Sequence, residues 1–176
     1  MSVDEELHEH AEHAKEPFDK KVAVTMAVIA AMLAIDGVMA HLLTTEELLA
    51  QQKASDQWSY YQAKSIRRYN SEIATEIFKG FHNELTEPSA AKYEKNIEKY
   101  RKESDEVSDK AKEFEAESKM KGDQAHRLDF GEVFLELGIV FASMAILTKS
   151  NLIWFASMGS ALVGLAIALS MFLVKS

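Results

Sequence analysis

No cysteine occurs in the 176 residues, which excludes a disulfide framework, a thiolate metal site and a cysteine nucleophile. A clustered basic face is missing as well. The formal charge is -8, and the lysines and arginines are interleaved with acids, so nucleic acid is not an expected partner. There is no glycine-rich phosphate loop, because "GSALVG" lies inside an apolar run. Nothing in the chain resembles a Ser-His-Asp catalytic set. An enzyme is therefore not expected, and no cofactor is called for.

What is present is a sharp segregation of apolar from charged residues. Overall, 27% charged and 47% hydrophobic residues would suit an ordinary soluble domain, but the two classes do not mix. From Lys21 the chain reads "KVAVTMAVIAAMLAIDGVMAHLLTT". From Asp129 it reads "DFGEVFLELGIVFASMAILTKSNLIWFASMGSALVGLAIALSMFLVKS", two apolar runs split by "TKSN". Each run reaches the roughly 20 residues that cross a hydrocarbon core about 30 Å thick. The expected fold is all-α, with three transmembrane helices at 22–43, 129–148 and 152–174. An acidic, His-containing tail occupies 1–21. Val38 and Ala40 would satisfy a signal-peptide cleavage rule, but the long run and the acidic stretch before it favour an uncleaved anchor.

The polar stretch 44–128 must lie in water, and its strong interruptions are Pro88 and Gly122. Proline disfavours helical geometry in the residue before it and suits the first turn of a new helix. A long antiparallel coiled-coil hairpin is thus expected between the first and second membrane helices, with its turn near 86–89. Each half has about 40 residues, or about 60 Å of helix. In the second half Tyr93, Ile97, Tyr100, Ser104, Val107, Ala111, Phe114, Ser118, Lys121, Ala125 and Leu128 keep an unbroken 4-3 spacing, the mark of a seam. In the first half Leu48, Trp58, Ile66, Tyr69, Ile73 and Ile77 share about a third of the helix circumference, with Tyr61 at the margin, and are expected to face inward. Folding about Glu87 pairs Phe81 with Tyr93 and sets Trp58 beside Phe114, to within about two to four residues. Phe78 and Leu49 stay uncovered in such a pair, so a homo-oligomer is expected.

The stretch "QQKASDQWSYYQAKSIRRY" sets one Trp and three Tyr among four basic residues. Trp58 lies 15 residues beyond Leu43, about 22 Å along a helix and too far for a headgroup belt. Tyr60, Lys64, Arg67 and Arg68 are expected on the outer face, where they could meet an unidentified protein partner. At "ASDQWSYYQAKSIRR" the chain resembles a bacterial membrane family known as domain of unknown function 4337. The resemblance extends to "YEKNIEKYRKESDE" and "AILTKSNLIWF" and covers nearly the whole chain, apart from "HEHAEHAKEP". It implies an integral protein of the bacterial inner membrane. That family has no established activity, so no catalytic or binding residue carries over.

Two carboxylates lie inside the apolar runs. Asp36 stands seven residues before Leu43 and Glu136 seven after Asp129, so both are expected about 10 Å inside one membrane surface. His41 and Glu132 form a shallower level. Ionisable groups cost about 2.5–3.5 kcal/mol each in a bilayer, so they should face protein or water. They are candidates either for holding helices in register or for an ion or proton path. His8, His10 and His13 are weak metal candidates on a solvated tail, and no metal site is expected. Ala156, Ser160, Gly164 and Ala168, with Gly131, Leu135, Gly138 and Ala142, have the spacing of close helix packing. Lys15, Lys20 and Lys21 precede the first run and favour a cytoplasmic N-terminus; Lys149 agrees, whereas Lys119, Lys121, Arg127 and Lys175 oppose it. The expected role is a non-enzymatic, homo-oligomeric scaffold, with a small ion channel or proton-coupled transporter on Asp36 and Glu136 as the alternative.

Overall fold

The computed structural model describes residues 17–81 and 86–174. These residues form three α-helices, α1 Pro17–Gly80, α2 Glu87–Thr148 and α3 Asn151–Leu169, followed by a 3₁₀ turn, Ser170–Leu173. Among the described residues there is no strand. Pro17 opens α1, where its missing N–H leaves no bond unmade, and Asp19 complements the helix dipole in the same turn. The α1 helix stops at Gly80, a glycine that a reading centred on Pro88 passes over. Pro88 lies in the first turn of α2. Lys149, with φ 50°, takes the left-handed conformation in the two-residue link to α3. All three helices are long and apolar enough to cross a membrane.

The chain divides into two compact units. Of the described residues, one holds α1 up to Thr45 together with 120–174; the other is Glu46–Lys119.

In the first unit the three helices pack in layers. Val22 meets Ala142 and Ala145, Ile29 meets Leu135 and Ala161, and Ala40 meets Leu128, Ala168 and Met171. Small residues decide this packing because they let the helix backbones approach closely. At the crossing of α2 and α3 a Cβ placed on Gly164 would stand 2.7 Å from the Gly131 carbonyl oxygen, and one on Gly131 would stand 2.9 Å from that of Gly164. Gly138 comes nearly as close to Ser157. The buried stripe of α3 is Ser157, Ala161, Gly164 and Ala168. Ala156, expected in that stripe, is exposed, and Ser160 is half-buried and donates its hydroxyl to the Phe134 carbonyl at 2.7 Å. A 4-3-4 spacing follows the neighbouring helix better than a strict repeat of four, which drifts around a 3.6-residue turn.

In the second unit two helical stretches lie side by side and run in opposite directions. Phe78 stacks on Tyr93 at 5.8 Å, Lys64 binds Glu103, and the Trp58 indole N–H donates to Glu115 at 2.7 Å. Tyr93 meets Phe78 rather than Phe81, three positions from the expected pairing and within its range. The α2 seam is as expected: Ser104, Val107 and Ala111 are buried, and Tyr93, Ile97, Tyr100, Phe114 and Ser118 are half-buried.

The α1 side of this pair corrects the expectation. Leu48, Ile66, Tyr69, Ile73 and Ile77 are all exposed, each by more than half. Ala50, Ala54, Lys64, Ser71 and Thr75 are buried instead, with Tyr61 and Phe78 half-buried, again at 4-3 spacing. Steric matching explains the choice. Large and small side chains share the interface: Phe78 stacks on Tyr93, and alanine, serine and threonine occupy buried α1 positions between the larger groups. The polar seam residues are satisfied locally, since Ser71, Thr75 and Ser104 each donate to the carbonyl four residues earlier.

Candidate functional site

Two ionisable side chains are buried among the described residues, Asp36 in the first unit and Lys64 in the second. Each sits on the inward stripe of α1, so the helix period that buries its apolar neighbours buries it too.

Asp36 is 7% exposed, and its Oδ2 has no hydrogen-bond partner among the described residues. It lies at a cavity of about 340 Å³ whose other walls are apolar, among them Met32, Met39, Leu135, Leu165, Met171 and Phe172. Glu132 is the charged group that bears on it most strongly, followed by Asp129. The Glu132 carboxylate also borders Gly37, 3.8 Å from where a Cβ would stand.

The expected partner differs. Glu136 is exposed, next to Leu135, which points inward and is 1% exposed. One residue along a helix is a rotation of about 100°, enough to turn Glu136 away. The carboxylate that faces Asp36 is Glu132, one turn earlier in α2, and His41 is exposed and takes no part. The spacing of i and i+4 on α2 was legible, but the choice between its two members depended on where Leu135 points.

Lys64 is enclosed differently. Its ammonium lies 2.5 Å from the Glu103 carboxylate, 4.9 Å from the centre of the Tyr60 ring and 5.8 Å from that of Tyr100. The hydrogen bond to Glu103 raises the Lys64 pKa most, and the neighbouring Tyr60 adds to the shift. The same bond from Lys64, aided by Lys99 and Arg67 nearby, lowers that of Glu103. Lys64 was expected on the outer face and is instead part of the seam, because a flexible four-carbon stem can bury itself while its head reaches a carboxylate.

The outer face proposed for Tyr60, Lys64, Arg67 and Arg68 is therefore broken up. Tyr60 and Arg67 are exposed, whereas Arg68 is half-buried, 3.6 Å from Glu72 and 5.0 Å from the Tyr69 ring. The feature missed in the sequence is the opposite one, an uncovered row of Ile66, Tyr69, Ile73 and Ile77 on the solvent side of α1. Its signal is the hydropathy of the three isoleucines, which a pattern alone turns inward.

Among the described residues no group of three His, Asp or Glu is placed to hold a metal ion. His8, His10 and His13 lie outside the described residues.

No curated protein and no solved structure matches the chain. A family model does: the one described as Domain of unknown function (DUF4337) matches residues 18–174, including both buried charges and the whole of α1–α3 apart from Pro17. The chain belongs to that family, the domain of unknown function DUF4337.

Proposed function

We propose that this protein is a non-enzymatic, multi-pass protein of the bacterial inner membrane, with a cytoplasmic N-terminus, whose coiled-coil hairpin over 44–128 associates with other copies to form a scaffold. The observation that carries the reading is the exposed row of Ile66, Tyr69, Ile73 and Ile77, each more than half accessible. These residues recur at 3-4-4 spacing on one face of a helix whose other face is already paired, in a segment too polar for lipid to cover. A second copy offers the same row, and self-complementary faces close readily into symmetric oligomers.

The test is the mass of the full chain in detergent by light scattering. The wild-type chain should be a multimer, and Ile66→Lys combined with Ile73→Lys should shift it to the monomer with helix content unchanged. A wild-type monomer across a hundredfold range of concentration would rule the scaffold out. Tyr60 and Arg67 remain the accessible residues through which a soluble partner could dock on such a scaffold.

A second reading, a small channel or proton-coupled transporter, is favoured by the burial of Asp36 next to Glu132. A buried carboxylate in an apolar helix is costly unless it serves a path or a partner. Liposomes holding the protein should then pass protons or cations, and Asp36→Asn should abolish the flux. Equal leakage from both proteins would remove this reading and leave the scaffold untouched.

A further inference from the structure

The cavity beside Asp36 has a chemistry that self-association does not use, and an apolar volume that ion passage does not need. About 340 Å³ is enough for a small organic molecule, and ten of its eleven lining residues are apolar. The one exception is Asp36, more than nine-tenths buried, with Oδ2 lacking any hydrogen-bond donor among the described residues. An unpaired buried acceptor forgoes a bond that a suitable donor would restore. The charged groups that bear on Asp36, Glu132 and Asp129, are both acidic, so the local field favours a cation. Arg127 is engaged elsewhere, donating to the Ser170 hydroxyl at 3.0 Å.

From this we infer that the Asp36 cavity binds a lipophilic amine: an apolar body of about ten carbon atoms bearing one protonated nitrogen that donates to the Asp36 carboxylate. A divalent metal does not suit the site, since such ions need several oxygen ligands and the walls offer none beyond Asp36. A neutral apolar molecule would leave Oδ2 unpaired. Three of the wall residues, Met32, Met39 and Met171, have flexible unbranched side chains that re-pack around guests of different shape. Oδ2 is closed to solvent, and rotation about χ2, a broad torsion for aspartate, would turn it toward a guest in the cavity.

The probe is tritiated 1-aminoadamantane, measured by equilibrium binding to the full chain in nanodiscs of phosphatidylcholine and phosphatidylglycerol, lipids without a primary amine. Empty nanodiscs give the partition background. Saturable binding is expected, weakened at least tenfold by Asp36→Asn and not displaced by 1-adamantanol, which has the same body without the charge. Met39→Trp, which fills the cavity and keeps the carboxylate, should also abolish binding, and thermal melting of both variants verifies that they are folded. Binding that is unsaturable, indifferent to Asp36→Asn, or displaced equally by the alcohol would overturn the proposal. Proton flux without amine binding would overturn it too, while sparing the channel reading.

Discussion

Asp36 and Lys64 occupy equivalent positions on the inward stripe of one helix, yet their surroundings are opposite in kind. Lys64 has a carboxylate at 2.5 Å and two tyrosine rings within 6 Å of its ammonium. Asp36 has apolar walls, an oxygen without a donor among the described residues, and other acids as its charged neighbours. A buried charge that is paired and hydrogen-bonded fixes a register, whereas one left unpaired lowers stability and is retained where something else depends on it. By this contrast Lys64 is part of the architecture of its unit, and Asp36 is the residue on which a function of the other unit could turn. The packing around them differs too: side chains mesh in Glu46–Lys119, while backbones touch at Gly131 and Gly164.

The largest effect should come from pressing on that backbone contact. In Gly164→Ala the new Cβ meets the Gly131 oxygen at 2.7 Å, the Leu135 nitrogen at 3.1 Å and the Phe134 Cβ at 3.1 Å. Two of these neighbours are backbone and cannot rotate away. We expect a loss of about 1–3 kcal/mol, the usual cost of overpacking a tight contact, read as a lower melting temperature in detergent. Gly159→Ala is the control, since nothing lies within 4 Å of its Cβ and helix propensity alone favours alanine. Equal effects at the two sites would mean that α2 and α3 do not cross there.

A smaller effect, of opposite sign, should come from Asp36. Replacing it with leucine removes the unpaired oxygen and extends the apolar layer formed by Ile29 and Leu135. Stability should rise by about 1 kcal/mol, the lower end of the cost of an unsatisfied buried group. Asp36→Asn should fall between leucine and wild type, because the amide still has to find partners. Destabilisation by leucine would show that the carboxylate is structural, and the contrast with Lys64 would collapse.

How much of this could be read from the sequence depended on where hydropathy and packing agree. They agree along α2, where Val107, Ala111 and Leu128 are both apolar and buried, so its seam was legible from Tyr93 onward. They disagree along α1. There Ala50, Ala54, Ser71 and Thr75 are the buried positions, and small or polar residues leave no mark in a hydropathy pattern. Ile66 and Ile73 are residues that a hydropathy pattern turns inward, yet both are exposed. Asp36 stood out as an acid in an apolar run, but its neighbour did not, because Glu132 and Glu136 differ only in the direction set by Leu135. Lys64 was legible as a charge and not as a buried one, since its burial depends on Glu103, 39 residues away.

The smallest effect, and the one that probes the paired half of the comparison, concerns Lys64 and Glu103. Removing the acid leaves a lysine in the seam without its counter-ion, whereas removing the lysine leaves an acid that still reaches water, its side chain 31% exposed. Glu103→Gln should therefore lower the melting temperature more than Lys64→Met, which keeps most of the stem. The pH dependence follows from the directions of the shifts. Glu103 is held below the ordinary value of 4.5, so its contribution is complete above that pH and is lost as pH falls through its lower folded value. Lys64 is raised above 10.5, so its contribution is complete below that pH and is lost as pH rises through its higher folded value. The gap in melting temperature between wild type and Glu103→Gln should accordingly be widest near pH 7 and close on acidification below 4.5, where the protonated acid resembles the amide. A gap that stays constant from pH 7 to pH 3 would mean that the pair is not an ion pair in the folded chain, and Lys64 would then pose the same unanswered question as Asp36.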